Sequence, residues 1–228
     1  MKSTEEYKLD NPVWNSLSEV HTEFAIDYGN TKFYNPDYCP FGGFIQLEST
    51  KDAANQYAAL TESLFIVGDQ PSLPDFLKVE KELVCLQMIV HEKIELPIEV
   101  EIVKLTEKHN EALCDLVNLV QPGYFKDKTP LLGDYFGIFK GEQLIAITGE
   151  RMKMDRFTEV SAIITHPDHT GKGYAKQLIA HVVNRIFDQD KIPFLHVVES
   201  NIGAIKLYEK LGFTTRRKMS FWYISKNQ

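Results

Sequence analysis

The residues whose types and spacing could do chemistry fall in two stretches of the second half of the chain. In Thr170-Gly171-Lys172-Gly173-Tyr174-Ala175, two glycines one residue apart lead into a helix-forming run. The first turn of a helix has no internal acceptors for its N–H groups, so a chain that turns through glycines into a helix makes a nest of donors suited to a pyrophosphate. The glycines permit unusual backbone angles and close approach of a ligand, Ala175 leaves room at the helix start, and Lys172 and Lys176 add positive charge. A lone Gly-x-Gly also marks a plain strand-to-helix turn. The pattern is not a P-loop, because no Ser or Thr follows the Gly-Lys pair, and it lacks the third glycine of the dinucleotide fingerprint.

The second stretch runs from Asn201 to Phe213, where Asn201, Ala204 and Tyr208 recur at helical spacing on one face. Asn201 at the helix start can offer an amide to a pantetheine-like chain, Ala204 keeps the wall low, and Tyr208 presents a phenol. Taken singly, Asn201 is also a natural N-cap and Tyr208 a natural core aromatic.

These stretches need elements to hold them. Ile98, Val100 and Ile102 alternate with Glu99 and Glu101 as a half-buried strand does, and a new unit is placed at about residue 97. Thr106 can cap a following helix, whose Leu113, Leu116, Val117 and Val120 form a stripe ended by Gln121-Pro122-Gly123. Segments 135–139 and 144–148 read as a hairpin turning through Lys140-Gly141-Glu142-Gln143. A third strand spans 158–165, and the helix after the glycines carries Ala175, Leu178, Ile179, Val182 and Ile186 on one face. A strand at 193–198, a helix from 201 to 211 stopped by Gly212, and β-prone 221–224 complete a mixed α/β order, with helices on both faces of a mixed sheet. Before residue 97, β-prone 24–26, 41–47, 64–67 and 83–90 alternate with helical candidates at 52–60 and 75–83. The segment after 41–47 has no glycine-rich turn where an anion could dock.

Composition narrows the function classes. Asp+Glu 32 against Lys+Arg 25 leaves a net charge of -7, which argues against a nonspecific grip on nucleic acid. The opening Met1–Glu6 lacks the apolar core of a secretory signal, and the longest apolar run, around 83–90, falls short of a membrane span. A cytoplasmic protein with no membrane partner is therefore expected. Cys39, Cys85 and Cys114 show neither disulfide nor zinc spacing, and His166, His169, His181 and His196 form no helical metalloprotease pair, so no metal is expected.

Phe157–Thr165, the run His166-Pro167-Asp168-His169-Thr170-Gly171-Lys172-Gly173-Tyr174-Ala175, and Asn201–Phe213 together resemble the acyl-coenzyme A motifs of the GNAT superfamily of N-acetyltransferases. The likeness spans roughly residues 98–228. Phe194–Glu199 and Met219–Trp222 are similar to the branch related to glycine N-acyltransferases. Thr170 departs from the Gln or Arg usual in the family. The resemblance implies the GNAT fold, with 98–228 as the catalytic domain and 1–97 as an α/β extension whose rhythm is compatible with a degenerate GNAT-like half that shapes the substrate site or serves as scaffold. It implies acetyl-coenzyme A as cosubstrate, backbone contacts from Ile163, Ile164 and Thr165 to the pantetheine, residues 171–176 around the pyrophosphate, and a sheet that splays open beside Ile163. Oligomeric state is left open.

An alkyl amine with a pKa of about 10.4 is only about 0.04% neutral at pH 7, so a base is the larger requirement. The resemblance assigns that role to Glu159, with Glu150 as runner-up, and gives Tyr208 a hydrogen bond to the leaving thiolate. The expected reaction is direct attack of an unidentified amine on the thioester. A noncatalytic acyl-coenzyme A binding protein is the alternative.

Overall fold

The computed structural model describes residues 5–123 and 125–227; Met1–Thr4, part of the opening read above for a secretory signal, lie outside the described residues. The first half contains α1 (Pro12–Ser18), β1 (Ala25–Asp27), β2 (Thr31–Tyr34), β3 (Phe41–Phe44), α2 (Ser49–Tyr57), β4 (Ser63–Val67) and β5 (Leu77–Ile89). The second contains β6 (Val103–Lys104), α3 (Asn110–Val120), β7 (Tyr135–Lys140), β8 (Gln143–Lys153), β9 (Phe157–Thr165), α4 (Tyr174–Phe187), β10 (Ile192–Val198), α5 (Ile202–Lys210) and β11 (Thr214–Lys226). This is the expected mixed sheet flanked by helices. Among the described residues no helix is long and apolar enough to cross a membrane.

Local chemistry sets several boundaries. Thr106 and His109 form a reciprocal capping box, with His109 Nδ1 accepting from the Thr106 N–H at 2.9 Å, in the 3-10 turn that leads into α3. Gly141, at φ +60, turns β7 into β8. The stripe Leu178, Ile179, Val182 and Ile186 of α4 is fully buried against the sheet. Each such side chain withdraws apolar surface worth about 1.5–3 kcal/mol.

Among the described residues the strands form one sheet in the order β1-β2-β3-β4-β11-β5-β10-β9-β8-β7-β6. Each half places its last strand inside the other: β5 lies between β11 and β10, and β11 lies between β4 and β5. The two exchanged strands pair antiparallel from Thr214↔Ile89 to Lys226↔Leu77. Each half also carries one parallel pair joined through a helix, β3 with β4 through α2 and β9 with β10 through α4.

The feature that positions the site is where β9 and β10 part. They pair only at Ile192↔Phe157, Pro193↔Thr158 and Phe194↔Glu159. Beyond that point β10 stays with β5 as far as Val198↔Cys85, while β9 stays with β8 as far as Thr165↔Ala146. Between Gly149↔Ser161 and Ile147↔Ile164, Ala162 and Ile163 oppose the single residue Thr148, which makes a bulge. Ala162 there has φ +50, a conformation uncommon for a residue with a Cβ.

Three sequence expectations are corrected. The helix expected over 75–83 is the start of β5: its Lys and Glu residues favour a helix locally, but pairing with β11 supplies the backbone partners and overrides propensity. The strand expected over 96–103 shrinks to Val103–Lys104, because only these residues meet β7; the Glu99 N–H goes instead to Gln177 Oε1 at 2.7 Å, and Ile98 is exposed. The segment expected over 41–47 ends as a strand at Phe44.

The halves are also joined by buried polar contacts. Tyr34 Oη lies 2.8 Å from Ser16 Oγ and 2.9 Å from His21 Nδ1, and Ser16 Oγ donates to the Lys153 carbonyl at 3.0 Å. Burial, reinforced by the charges of Lys153 and Lys191, pushes His21 down to about 4. An unfolded histidine takes up a proton below about pH 6.5, whereas the folded one refuses it until about 4, so stability falls as pH drops through that window by about 3 kcal/mol at most. The expected result is that His21→Gln flattens this loss in urea denaturation between pH 6.5 and 4; parallel pH profiles for the two proteins would refute it.

Candidate active site

The chain leaves β9 at Thr165, crosses a 3-10 turn at Pro167–His169, and enters α4 through two glycines in the left-handed region, Gly171 at φ +75 and Gly173 at φ +78. Gly173 occupies the N-cap of α4 with no side chain to cap it, so the N–H groups of the first turn remain open to a ligand. At Gly171 it is the backbone angle that requires glycine; a Cβ there would meet nothing within 4 Å. Beside this turn lies an open groove of about 620 Å³, lined by Thr165, His169–Lys176, and Gly203, Ala204 and Leu207 of α5.

Most of the cofactor-binding residues expected from the sequence therefore meet in one place: Thr165, Thr170, Gly171, Lys172, Gly173, Tyr174, Ala175, Lys176 and Ala204 all line the groove. The Thr170 hydroxyl donates to the Pro167 carbonyl at 3.1 Å, and Lys172 Nζ approaches His169 Nδ1 at 3.4 Å. Others are placed differently. Ile163 packs on the α4 side of the sheet and Ile164 is buried on the α3 side, so these two can offer a groove ligand only their backbone. Asn201 caps α5, its Oδ1 accepting from the Ala204 N–H at 3.2 Å. Tyr208 is buried against Phe213, and burial pushes its phenol up to about 12. The α5 face turned to the groove is thus 203, 204 and 207, not 201, 204 and 208.

On the other face of β9, where the strands part, lies a charged cluster that the sequence reading missed. Glu159, 1% exposed, accepts from Arg151 Nε at 2.8 Å and from Arg151 Nη2 at 2.7 Å. His196 Nδ1 lies 2.8 Å from Glu159 Oε1, and its Nε2 accepts from Gln87 Nε2 at 3.1 Å, so Nδ1 carries the proton that bonds the carboxylate. Gln87, contributed by β5, also donates to the Leu9 carbonyl and accepts from Arg216 Nη1 at 3.0 Å. Burial alone would raise Glu159, but the charge and hydrogen bonds of Arg151, with the hydrogen bond of His196, outweigh it and hold the carboxyl at about 2. Glu159 thus stands as a carboxylate engaged on both oxygens by Arg151 and His196. Against an amine of about 10.4, taking up its proton would be uphill by about 11 kcal/mol.

Glu150, the second acid considered, is also buried: Oε2 pairs with Lys153 Nζ at 2.7 Å and accepts from the Asp134 N–H, while Oε1 has no hydrogen-bond partner among the described residues. A signal for the Arg151–Glu159 pair existed in the sequence. The two residues stand four positions either side of Asp155, the middle of the β8–β9 turn, so an antiparallel hairpin brings them together.

A small cavity of about 70 Å³ sits on this face, lined by Cys39 and Phe41 of the first half, by Val117, Gln121, Phe125, Thr129 and Tyr135, and by Arg151, Ser161, Ala162 and Ile164. The kinked part of β9 thus has the groove at its far end and the cavity at its flank. Among the described residues no group of His, Cys, Asp and Glu is arranged to hold a metal ion.

Residues 135–222 match the family model described as FR47-like protein. In structure the chain is similar to a protein from Novosphingobium aromaticivorans assigned to the GNAT family of acetyltransferases, with 30% identity, a TM-score of 0.86, and 96% of this chain and 99% of that one covered. A GCN5-related N-acetyltransferase from Kribbella flavida shares the fold at 13% identity and a TM-score of 0.63, over 100% of this chain and 97% of that one. A GCN5-related N-acetyltransferase-like protein from Streptococcus suis does so at 13% identity and 0.62, over 93% and 92%. No curated protein matches the chain in sequence.

Proposed function

The chain belongs to the GNAT family of acetyltransferases, and we propose that it moves the acetyl group of acetyl-coenzyme A to an amine by direct attack within a ternary complex. The observation that carries this reading is the groove beside Gly171 and Gly173, where an uncapped helix start, Lys172 and Lys176 meet at the end of a strand that has lost its neighbour. The first-turn N–H groups of α4 receive the pyrophosphate. The amide of Asn201, whose Oδ1 is engaged at the cap, keeps its NH2 for the pantetheine. Among the described residues the β10-facing edge of β9 beyond Glu159 has no strand partner, so its N–H groups serve charge developing on the thioester oxygen. An N–C bond forms, the C–S bond breaks, the thiolate departs, and the surplus proton of the amine goes to water.

Glu159 is read here as the partner that fixes Arg151 and His196 where β9 and β10 diverge. Tyr208, adjacent to the groove residue Leu207, donates a hydrogen bond to the leaving sulfur; with its phenol at about 12 and a thiol near 8.5, full proton transfer would be uphill by about 5 kcal/mol. Tyr208→Phe is expected to lower kcat about 10- to 100-fold while leaving coenzyme A affinity nearly unchanged. Equal turnover in the two proteins would reject the role.

Release of free thiol from acetyl-coenzyme A with a broad amine panel tests the function. The engagement of Glu159 by Arg151 and His196 favours one second reading, a chain that binds acyl-coenzyme A without transferring the acyl group; binding with no thiol release above background would establish it. A degenerate GNAT-like origin for residues 1–97 is supported by the parallel pair β3–β4 and its helical crossover, which repeat the arrangement of β9 and β10. The finer placement beside the glycine N-acyltransferases rests on Phe194–Glu199 and Met219–Trp222 alone, since none of the relatives named above is described as a member of that branch.

A further inference from the structure

We propose that Arg151 anchors a carboxylate on the acceptor, so that the amine this chain acetylates belongs to an amino acid or a similar compound whose carboxylate lies within a few bonds of the nitrogen; the proposal rests on the acetyl-transfer reading above. A guanidinium presents five N–H donors in a planar fork. Glu159 occupies the edge formed by Nε and Nη2, whereas Nη1 has no hydrogen bond among the described residues. The pair is therefore saturated on one side only. The Arg151 side chain is 20% exposed against 1% for Glu159, so it is the arginine that reaches open space. Its guanidinium carbon lies 4.7 Å from the centre of the Phe41 ring, which holds the plane in place and shields one face.

The open space it reaches is the 70 Å³ cavity at the flank of the kink, where Arg151 is the one cation among the lining residues. A volume of that size admits a group of a few heavy atoms. Of the common small groups, a carboxylate matches both the size and the free edge of the fork, because its two oxygens meet paired N–H donors. An ammonium, itself only a donor, would face the N–H donors of the guanidinium, which disfavours a polyamine whose second cation would have to enter. Ser161 and Ala162 line the same cavity and belong to the bulged segment of β9. A carboxylate held there keeps the attached amine near the unpaired strand edge where the thioester is expected. Because Glu159 already balances the arginine, the incoming anion is bound by directed hydrogen bonds more than by net charge.

The test compares each of a set of α-amino acids with its own α-carboxamide, following thiol release from acetyl-coenzyme A at neutral pH. The amine of the amide is the less basic, so the count of neutral molecules favours the amide, and a preference for the acid cannot arise from it. The expected result is a kcat/KM at least tenfold higher for the acid. Arg151→Lys, which keeps the charge and loses the fork, is expected to cut the acid-to-amide ratio by about tenfold or more. Amides acetylated as well as acids overturn the anchor and leave acetyl transfer standing, as does an unchanged ratio in a folded Arg151→Lys protein. Should that variant fail to fold, the wild-type ratio decides by itself. Thiol release with other amines of the broad panel but with no member of the set overturns the anchor alone; acetyl-coenzyme A binding without thiol release with any amine overturns the transfer reading and the anchor with it.

Discussion

Cut down to residues 98–228, the chain is expected to lose cooperative folding altogether. On sequence alone this segment looks self-sufficient, because it holds the glycine turn, both groove helices and β7 to β10. In the sheet, however, β10 would lose its pairing with β5 from Phe194↔Ile89 to Val198↔Cys85, and β11 would lose both neighbours. Met219, Phe221 and Ile224, all buried, would face water along a 13-residue strand with two open edges, which is an aggregation template. The truncation also removes Gln87 and with it the hydrogen bond to His196 Nε2. Circular dichroism and urea unfolding decide the matter. A sharp, cooperative transition in the 98–228 fragment would show that the strand exchange is dispensable.

Glu159→Ala is expected to destabilise the full chain by about 3–5 kcal/mol, because it leaves the Arg151 guanidinium without its counter-charge and the His196 N–H without its acceptor. The pH dependence identifies the cause. Glu159 is held at about 2 against an unfolded value of about 4.3, so its contribution is present in full above about pH 4.3 and is lost as pH falls toward 2. The stability gap between wild type and variant should therefore narrow in acid by about 3 kcal/mol. A gap that stays constant from pH 7 to pH 3 would mean that the loss comes from packing and that the ionic clamp contributes little. Glu159→Gln should likewise leave the neutral-to-alkaline limb of the rate profile intact, since a carboxylate at about 2 does not titrate there.

The local parts of the site were readable from sequence because each depends on neighbours in the chain. Gly171 and Gly173 announce the turn, the 178, 179, 182 and 186 stripe announces α4, and Thr106 announces the start of the α3 segment. What failed was whatever depends on a remote partner. The 75–83 segment has a helix-favouring composition and is a strand only because β11, well over a hundred residues later, lies beside it. Ile98 and Val100 alternate correctly but have no strand to pair with. Spacing put Asn201, Ala204 and Tyr208 on one helical face, but the packing of Tyr208 against Phe213 rotated that face so that Gly203 and Leu207 meet the groove instead. Glu159 was identified by position in a family pattern; its clamped state depends on Arg151, which the hairpin spacing about Asp155 sets opposite it, and on His196 from a different strand, an adjacency not written in the local sequence.

The crossing of the two terminal strands also sets a timetable for synthesis. Until Thr214–Lys226 has left the ribosome, β4 and β5 have nothing to bridge them, so the early half waits with its edges open while more than half of the polypeptide is still being made. At ordinary elongation rates that interval lasts roughly seven to thirty seconds, long enough for a nascent chain to need shelter from its neighbours.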